Sequence, residues 1–183
     1  MALIDAGLSF TTINSDGTNS AFAPTTAGQE NLAPNSIDTS PLALPTGSGG
    51  SSTTGYNSGS SANAGRDLGI GGEMWLEVLV TTAVAQSANN ANFFLVTDSA
   101  AALSNVASQT GVGVLIESPA FTAAQLVAQA YWRTQLPAAA VYKRYLGLDV
   151  YINTTNWTAG AVIAYLLTNI QQSDLYLSGI AIQ

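Results

Sequence analysis

The sequence holds no cysteine and no histidine in 183 residues. Those absences exclude disulfides, thiolate chemistry, the Ser-His-Asp and Cys-His nucleophile systems, and zinc sites built on imidazole or thiolate. Charge is scarce as well: 8% of residues are charged, against about a quarter in ordinary soluble domains. Positive charge is scarcest, with 4 Lys and Arg against 11 Asp and Glu, a formal net charge of −7, and no basic residue before Arg66. This balance argues against nucleic acid and anionic membrane as partners. Long hydrophobic runs are missing too. The longest unbroken apolar stretch, Ala161 to Leu167, is too short to cross a bilayer as a helix, and no basic segment leads into an apolar one at the start, so the chain reads as soluble and unsecreted.

What is present is apolar. Hydrophobic residues make up 47% and the mean hydropathy is +0.24. A surface so poor in charge leans toward association, which points to a natural partner surface and to a homo-oligomer. The length fits one domain, 1–183. Within it, residues 15–64 are about two-thirds Ser, Thr, Gly, Asn and Pro. Such a composition cannot repay its own ordering entropy, so 15–64 reads as a long arm or loop inserted before a strand-rich body, 65–183. Its scattered large side chains, Phe22, Leu32, Ile37 and Leu42, are spaced as anchors for a docked partner. The arm has one other plausible fate, folding back over its own body.

The rest reads as strand. From Glu73 to Thr81 the even positions are Met74, Leu76, Val78 and Val80 and the odd ones include Glu73, Glu77 and Thr81, a period of two with one wet face. In 144–153, Leu146, Leu148, Val150 and Ile152 point into a core while Tyr145, Asp149 and Tyr151 point to solvent, so Asp149→Asn is expected to be silent. Further strands are expected at 4–10, 91–97, 112–117, 130–136, 160–168 and 174–181, with short helical turns starting at Asp98 and at Thr122, where Gln125 completes a capping box. Eight short strands with almost no helix define an all-β fold, an antiparallel β-sandwich for which the jelly roll is one solution. In Ala161–Leu167 one strand face would serve the core and the other a neighbouring copy.

Catalytic residues, cofactor ligands and metal ligands are all expected to be absent. Glu73 and Glu77 share a strand face about 13 Å apart, beyond glycosidase spacings, and read as solvated carboxylates. Asn14 to Asn19 resembles a calcium loop faintly but lacks the closing bidentate Glu, so it reads as an Asp-Gly turn. Gly69-Ile70-Gly71-Gly72 precedes a strand rather than following one, which fits a strand-entry bend and not a phosphate cradle. The triplets at Asn153 and Asn156 read as a polar turn. Arg133 and the Lys143-Arg144 pair suit carboxylate pairing in an interface. Trp75, Trp132 and Trp157 together with the tyrosines leave a carbohydrate-binding sandwich open as an alternative.

Four stretches taken in order resemble a family. They are Leu3-Ile4-Asp5-Ala6; Asn35-Ser36-Ile37-Asp38 ahead of Arg66-Asp67-Leu68-Gly69-Ile70-Gly71; Phe94 to Ala100 followed by Ser118-Pro119-Ala120; and Lys143-Arg144-Tyr145-Leu146-Gly147-Leu148 leading to Thr158-Ala159-Gly160-Ala161. The series is similar to the Bbp16-like capsid cement, or decoration, proteins of tailed bacteriophages. The resemblance implies a jelly-roll protein without enzyme activity, assembled in the host cytoplasm and bound to the outer surface of the virion's icosahedral head. Its implied partners are the major capsid protein and further copies of itself, a dimer favoured over a trimer, with Arg144 and Tyr145 joining the four arm residues as contact candidates. A tail, baseplate or head-fibre component is the alternative within structural proteins.

Overall fold

The computed structural model describes residues 9–12, 20–39, 74–85, 90–137 and 142–167. Eight strands are laid out in chain order: β1 (Ile37–Asp38), β2 (Trp75–Ala85), β3 (Asn90–Asp98), β4 (Val114–Glu117), β5 (Phe121–Thr122), β6 (Tyr131–Gln135), β7 (Tyr145–Ile152) and β8 (Ala159–Leu167). They form two antiparallel sheets. One runs β1-β7-β3-β4 with β5 also on β3, and the other runs β6-β2-β8. The pairs nest, β2 with β8 and β3 with β7, which is the wrapping that a jelly-roll sandwich requires.

Period-two alternation puts Leu76, Val78 and Val80 of β2 and Val162, Ala164 and Leu166 of β8 on one side of the core. Phe93 and Leu95 of β3 with Leu146, Leu148, Val150 and Ile152 of β7 supply the other side. The expected strands at 73–81, 91–97, 112–117, 130–136, 144–153 and 160–168 are all observed within a few residues of their expected ends. Residues 4–8, 13–19, 69–73 and 174–181 lie outside the described residues, and with them the calcium-like turn and the glycine bend. Of the two expected helical turns neither becomes a helix. Asp98 instead caps a turn through the backbone amides of Ser99 and Asn105, and the Gln125 side chain accepts from Thr122 N at 2.9 Å, closing a single turn.

The described part of the arm, 20–39, takes the second fate. Ser9 bridges Tyr165, and Phe22 exchanges both backbone hydrogen bonds with Val162 at 2.8 Å, extending the sheet beyond β8. The chain then crosses to the other sheet, where Gly28 N donates to Ile152 O, Val150 N to Asn31 O and Ala33 N to Leu148 O before β1 pairs with Leu146 and Tyr145. Residues 20–39 thus supply the edge partner for both sheets on one side of the sandwich. Pairing an edge satisfies amides that would otherwise invite another chain. Ile37 is buried in the core, and Phe22 and Leu32 pack half-buried on its two clusters. Ile37 is thus used inside this chain, and Phe22 and Leu32 use part of their apolar surface there. Leu42 lies outside the described residues.

A second correction concerns the outward face of β7. It is not wet, because the 99–113 loop and the arm cover it, forming a second cluster of Phe94, Val96, Leu103 and Tyr151 with Leu32, Val106, Val114 and Tyr145 around it. Leu103, at φ 52, plugs the space above Gly147, where an added Cβ would meet its Cδ1 at 2.1 Å. Only glycine at 147 lets the loop seat so closely. Asp149 is fully buried beneath this cover, so the register is as expected while the expected solvent is absent.

Two variants test the packing. Leu148→Asp is expected to abolish folding by circular dichroism, since an unpaired charge would enter the core. Ile37→Ala is expected to lower stability in urea by about 2–5 kcal/mol, as for other buried large-to-small changes; a loss below about 0.5 kcal/mol would show that the arm is not part of the core.

Candidate interaction surface

The outward face of the three-stranded sheet is set by its two registers. Trp75, Glu77 and Leu79 on β2 stand opposite Gln135, Arg133 and Tyr131 on β6, and opposite Leu167, Tyr165 and Ile163 on β8. Nine side chains thus make a three-by-three grid, with a polar row between two largely apolar ones. In the middle row Arg133 Nε donates to Glu77 Oε2 and the Tyr165 hydroxyl donates to Glu77 Oε1, so both carboxylate oxygens are engaged. Glu77 is 0% exposed. Burial, and then the negative charge of Glu77, push the Tyr165 hydroxyl well above the usual tyrosine range, which keeps it a donor. The Arg133 guanidinium also lies over the Tyr131 ring, 4.4 Å from its centroid.

This arrangement overturns the solvated reading of Glu77. It also moves the Arg133 pairing from an interface to the inside of one chain. Isolated burial of either ion would be prohibitive, whereas the pair plus the phenol compensates each charge at contact distance. The grid therefore carries no net charge, and around its buried Glu77, Leu79 and Tyr165 stand half-buried Trp75, Ile163 and Leu167 and the 56% exposed Tyr131. An uncharged, aromatic-bearing sheet face has the chemistry of a protein contact, where aromatic residues and Arg are enriched and other charges depleted. Val127, also exposed, lies on the β5–β6 connection, four residues before Tyr131. Below this corner is a cavity of about 20 Å³ lined by Val78, Phe93, Phe121, Leu126 and Trp132 among others, room for no more than a water-sized guest.

The three tryptophans do not share a face. Trp75 is on the grid, Trp132 points inward and stacks on Phe93 with centroids 6.2 Å apart, and Trp157 is buried. A sugar-stacking platform thus loses two of its three members. Arg144 is exposed with its guanidinium 5.0 Å from the centroid of the half-buried Tyr145 ring, at the entry to β7. This pair adjoins the arm residues named with it: Tyr145 and Leu32 border the same second cluster, Tyr145 pairs with Asp38, and the Arg144 carbonyl accepts from Thr39 N at 2.7 Å. Among the described residues no group of three or more Asp and Glu gathers as a metal site. The sequence already put Glu77 and Arg133 on alternating strands, but nothing in it said which strands pair, so the grid could not be read from it.

Fold and surface together define an antiparallel β-sandwich with an internally neutralised sheet face. The chain matches the Bbp16 family model over residues 51–166 and belongs to that family, a phage-related one. The match spans the Arg66 to Gly71, Lys143 to Leu148 and Thr158 to Gly160 stretches. No curated protein matches the chain.

The central row can be tested by a double-mutant cycle in urea. Arg133→Met alone strands a buried carboxylate and is expected to cost about 3–5 kcal/mol. Adding Glu77→Gln should recover most of that loss. Additive losses would show that the two groups do not stabilise one another.

Proposed function

We propose that this chain is a structural phage virion protein, a capsid cement protein without enzyme activity. In this reading it binds the outer surface of the icosahedral head as a homo-oligomer and ties neighbouring major capsid protein subunits together. The observation that carries the reading is membership of the Bbp16 family. The physical features support it. A protein displayed in many copies needs no deep pocket, because repeated weak contacts multiply into strong attachment. Flat sheet faces and a charge-poor surface suit such contacts.

The mode of attachment follows from the charge inventory. Of four basic residues, Arg133 is occupied by Glu77 and Arg144 lies over Tyr145, and exposed ion pairs contribute only about 0–1 kcal/mol each. Adhesion therefore rests on apolar and backbone contacts. With Phe22, Leu32 and Ile37 packed on their own sandwich, the burden shifts to exposed aromatic and aliphatic groups such as Tyr131 and Val127.

The decisive experiment adds purified protein to phage heads assembled without it and images them by electron cryo-microscopy. Ordered density on the outer head surface, retained in 1 M salt where the Debye length is ~3 Å, is the expected result. Density on tails or fibres instead would establish the alternative structural role, and absence of binding would refute attachment. Tyr131→Ala is expected to weaken head binding while leaving the melting temperature within about 2 °C, since exposed changes seldom alter stability by more than ~0.5 kcal/mol.

A further inference from the structure

Asp149 is a carboxylate on the middle of β7 with 0% exposure. Its Oδ2 accepts from the Ser108 hydroxyl, and its Oδ1 has no hydrogen-bond partner among the described residues. Two separate coverings meet over it. One is the 99–113 loop, which brings Ser108 on a 3-10 turn and the Leu103 plug. The other is the arm, whose Leu32 forms a backbone bridge with Asp149 itself and whose Asn31 exchanges bonds with Val150.

Among the described residues the one charge that acts on Asp149 has its own sign, while Lys143 and Arg144 precede β7 at the far end, where Asp98 pairs with Tyr145. From the arm comes Glu30, whose field opposes a second negative charge. At the root of the loop stands Asp98, held by Asn105 and Ser99. β3 sets Phe94 directly opposite, and on β7 the neighbours on the same face are Gly147 and Tyr151. Among the described residues no Lys or Arg is bonded to Asp149, so ionisation there meets burial and repulsion with one hydroxyl and nearby amides as compensation.

Asp98 shows the contrast. Burial pushes its carboxyl up, but donors from Asn105, Ser99 and Ala100 outweigh that and hold it below its ordinary value. Asp149 lacks those donors, and burial first of all raises its carboxyl from 3.8 to about 6. Two carboxylates under one loop thus respond oppositely to the same cover.

We propose that Asp149 is a protonation latch, which when protonated closes the 99–113 loop and arm residues 30–33 on the five-stranded sheet and when ionised loosens both together. The sign follows from linkage. A folded-state carboxyl raised above its free value gives stability that is complete below pH 3.8 and is lost as pH rises through about 6. Opening exposes Asp149 to water and lets it ionise freely, so opening grows with pH.

Hydrogen exchange of the full chain at pH 5 and pH 8, corrected for intrinsic exchange, tests the latch. Peptides over 30–33 and 99–113 are expected to lose protection together by about tenfold at pH 8, while β2 and β8 keep theirs. Asp149→Asn should erase the pH difference. Ser108→Ala removes the hydroxyl that favours the ionised form, so it should enlarge the difference. Equal protection at both pH values, a uniform change across all strands, a pH difference that survives in Asp149→Asn, or one that is unchanged in Ser108→Ala would each overturn the proposal.

Discussion

A strand covered on both faces has no wet side on which to leave a charge, and that constraint shapes this protein. β7 is buried along nearly its whole length, and β2 is buried from Leu76 to Val80. The three carboxylates on these strands and on β3 must be compensated inside the fold, and each is treated differently. Glu77 has a guanidinium on one oxygen and a phenol on the other. Asp98 gathers amide donors from the turn that follows it. Asp149 has one hydroxyl and a bare oxygen. The order runs from a fixed structural charge to one that resists ionising.

Strand positions were legible because a period of two survives whatever covers the strand. The same period misled about solvent. Alternation distinguishes two faces of a strand but does not say what lies over the second one, and polar residues at 77 and 149 mimic a wet face that does not exist. Arg133 and Glu77 are 56 residues apart, so their meeting depends on a β2–β6 register that no local signal encodes. Gly147 was visible as a residue in a motif, yet its reason, the Leu103 side chain above it, comes from a loop 44 residues earlier.

The fate of the arm was left open by the sequence for a related reason. Its composition is that of a chain unable to fold alone, and that inference about autonomy is sound. It does not follow that the arm docks elsewhere. A few apolar residues at wide spacing, Phe22, Leu32 and Ile37, suffice once two preformed sheets offer their edges, because the backbone hydrogen bonds to Val162, Leu148 and Val150 supply the rest. Two-residue β1 and single-residue bridges leave no periodic signal at all.

The internal compensation of charge also bears on assembly. Each copy carries a formal net charge of −7, so copies repel one another at separations within a Debye length of about 8 Å at physiological salt. In the proposed homo-oligomer, close packing of copies would depend on placing contacts where the local field is weak. The three-by-three grid meets that condition, because its one cation and one carboxylate neutralise each other across β2 and β6. Had Arg133 been left at the surface, it would have offered each copy one attractive point and left Glu77 stranded below it. Burying the pair removes both effects. What remains on that face is Trp75, Tyr131, Ile163 and Leu167, whose attraction is short-ranged and insensitive to salt, so in the proposed assembly a contact there would be governed by shape and apolar area.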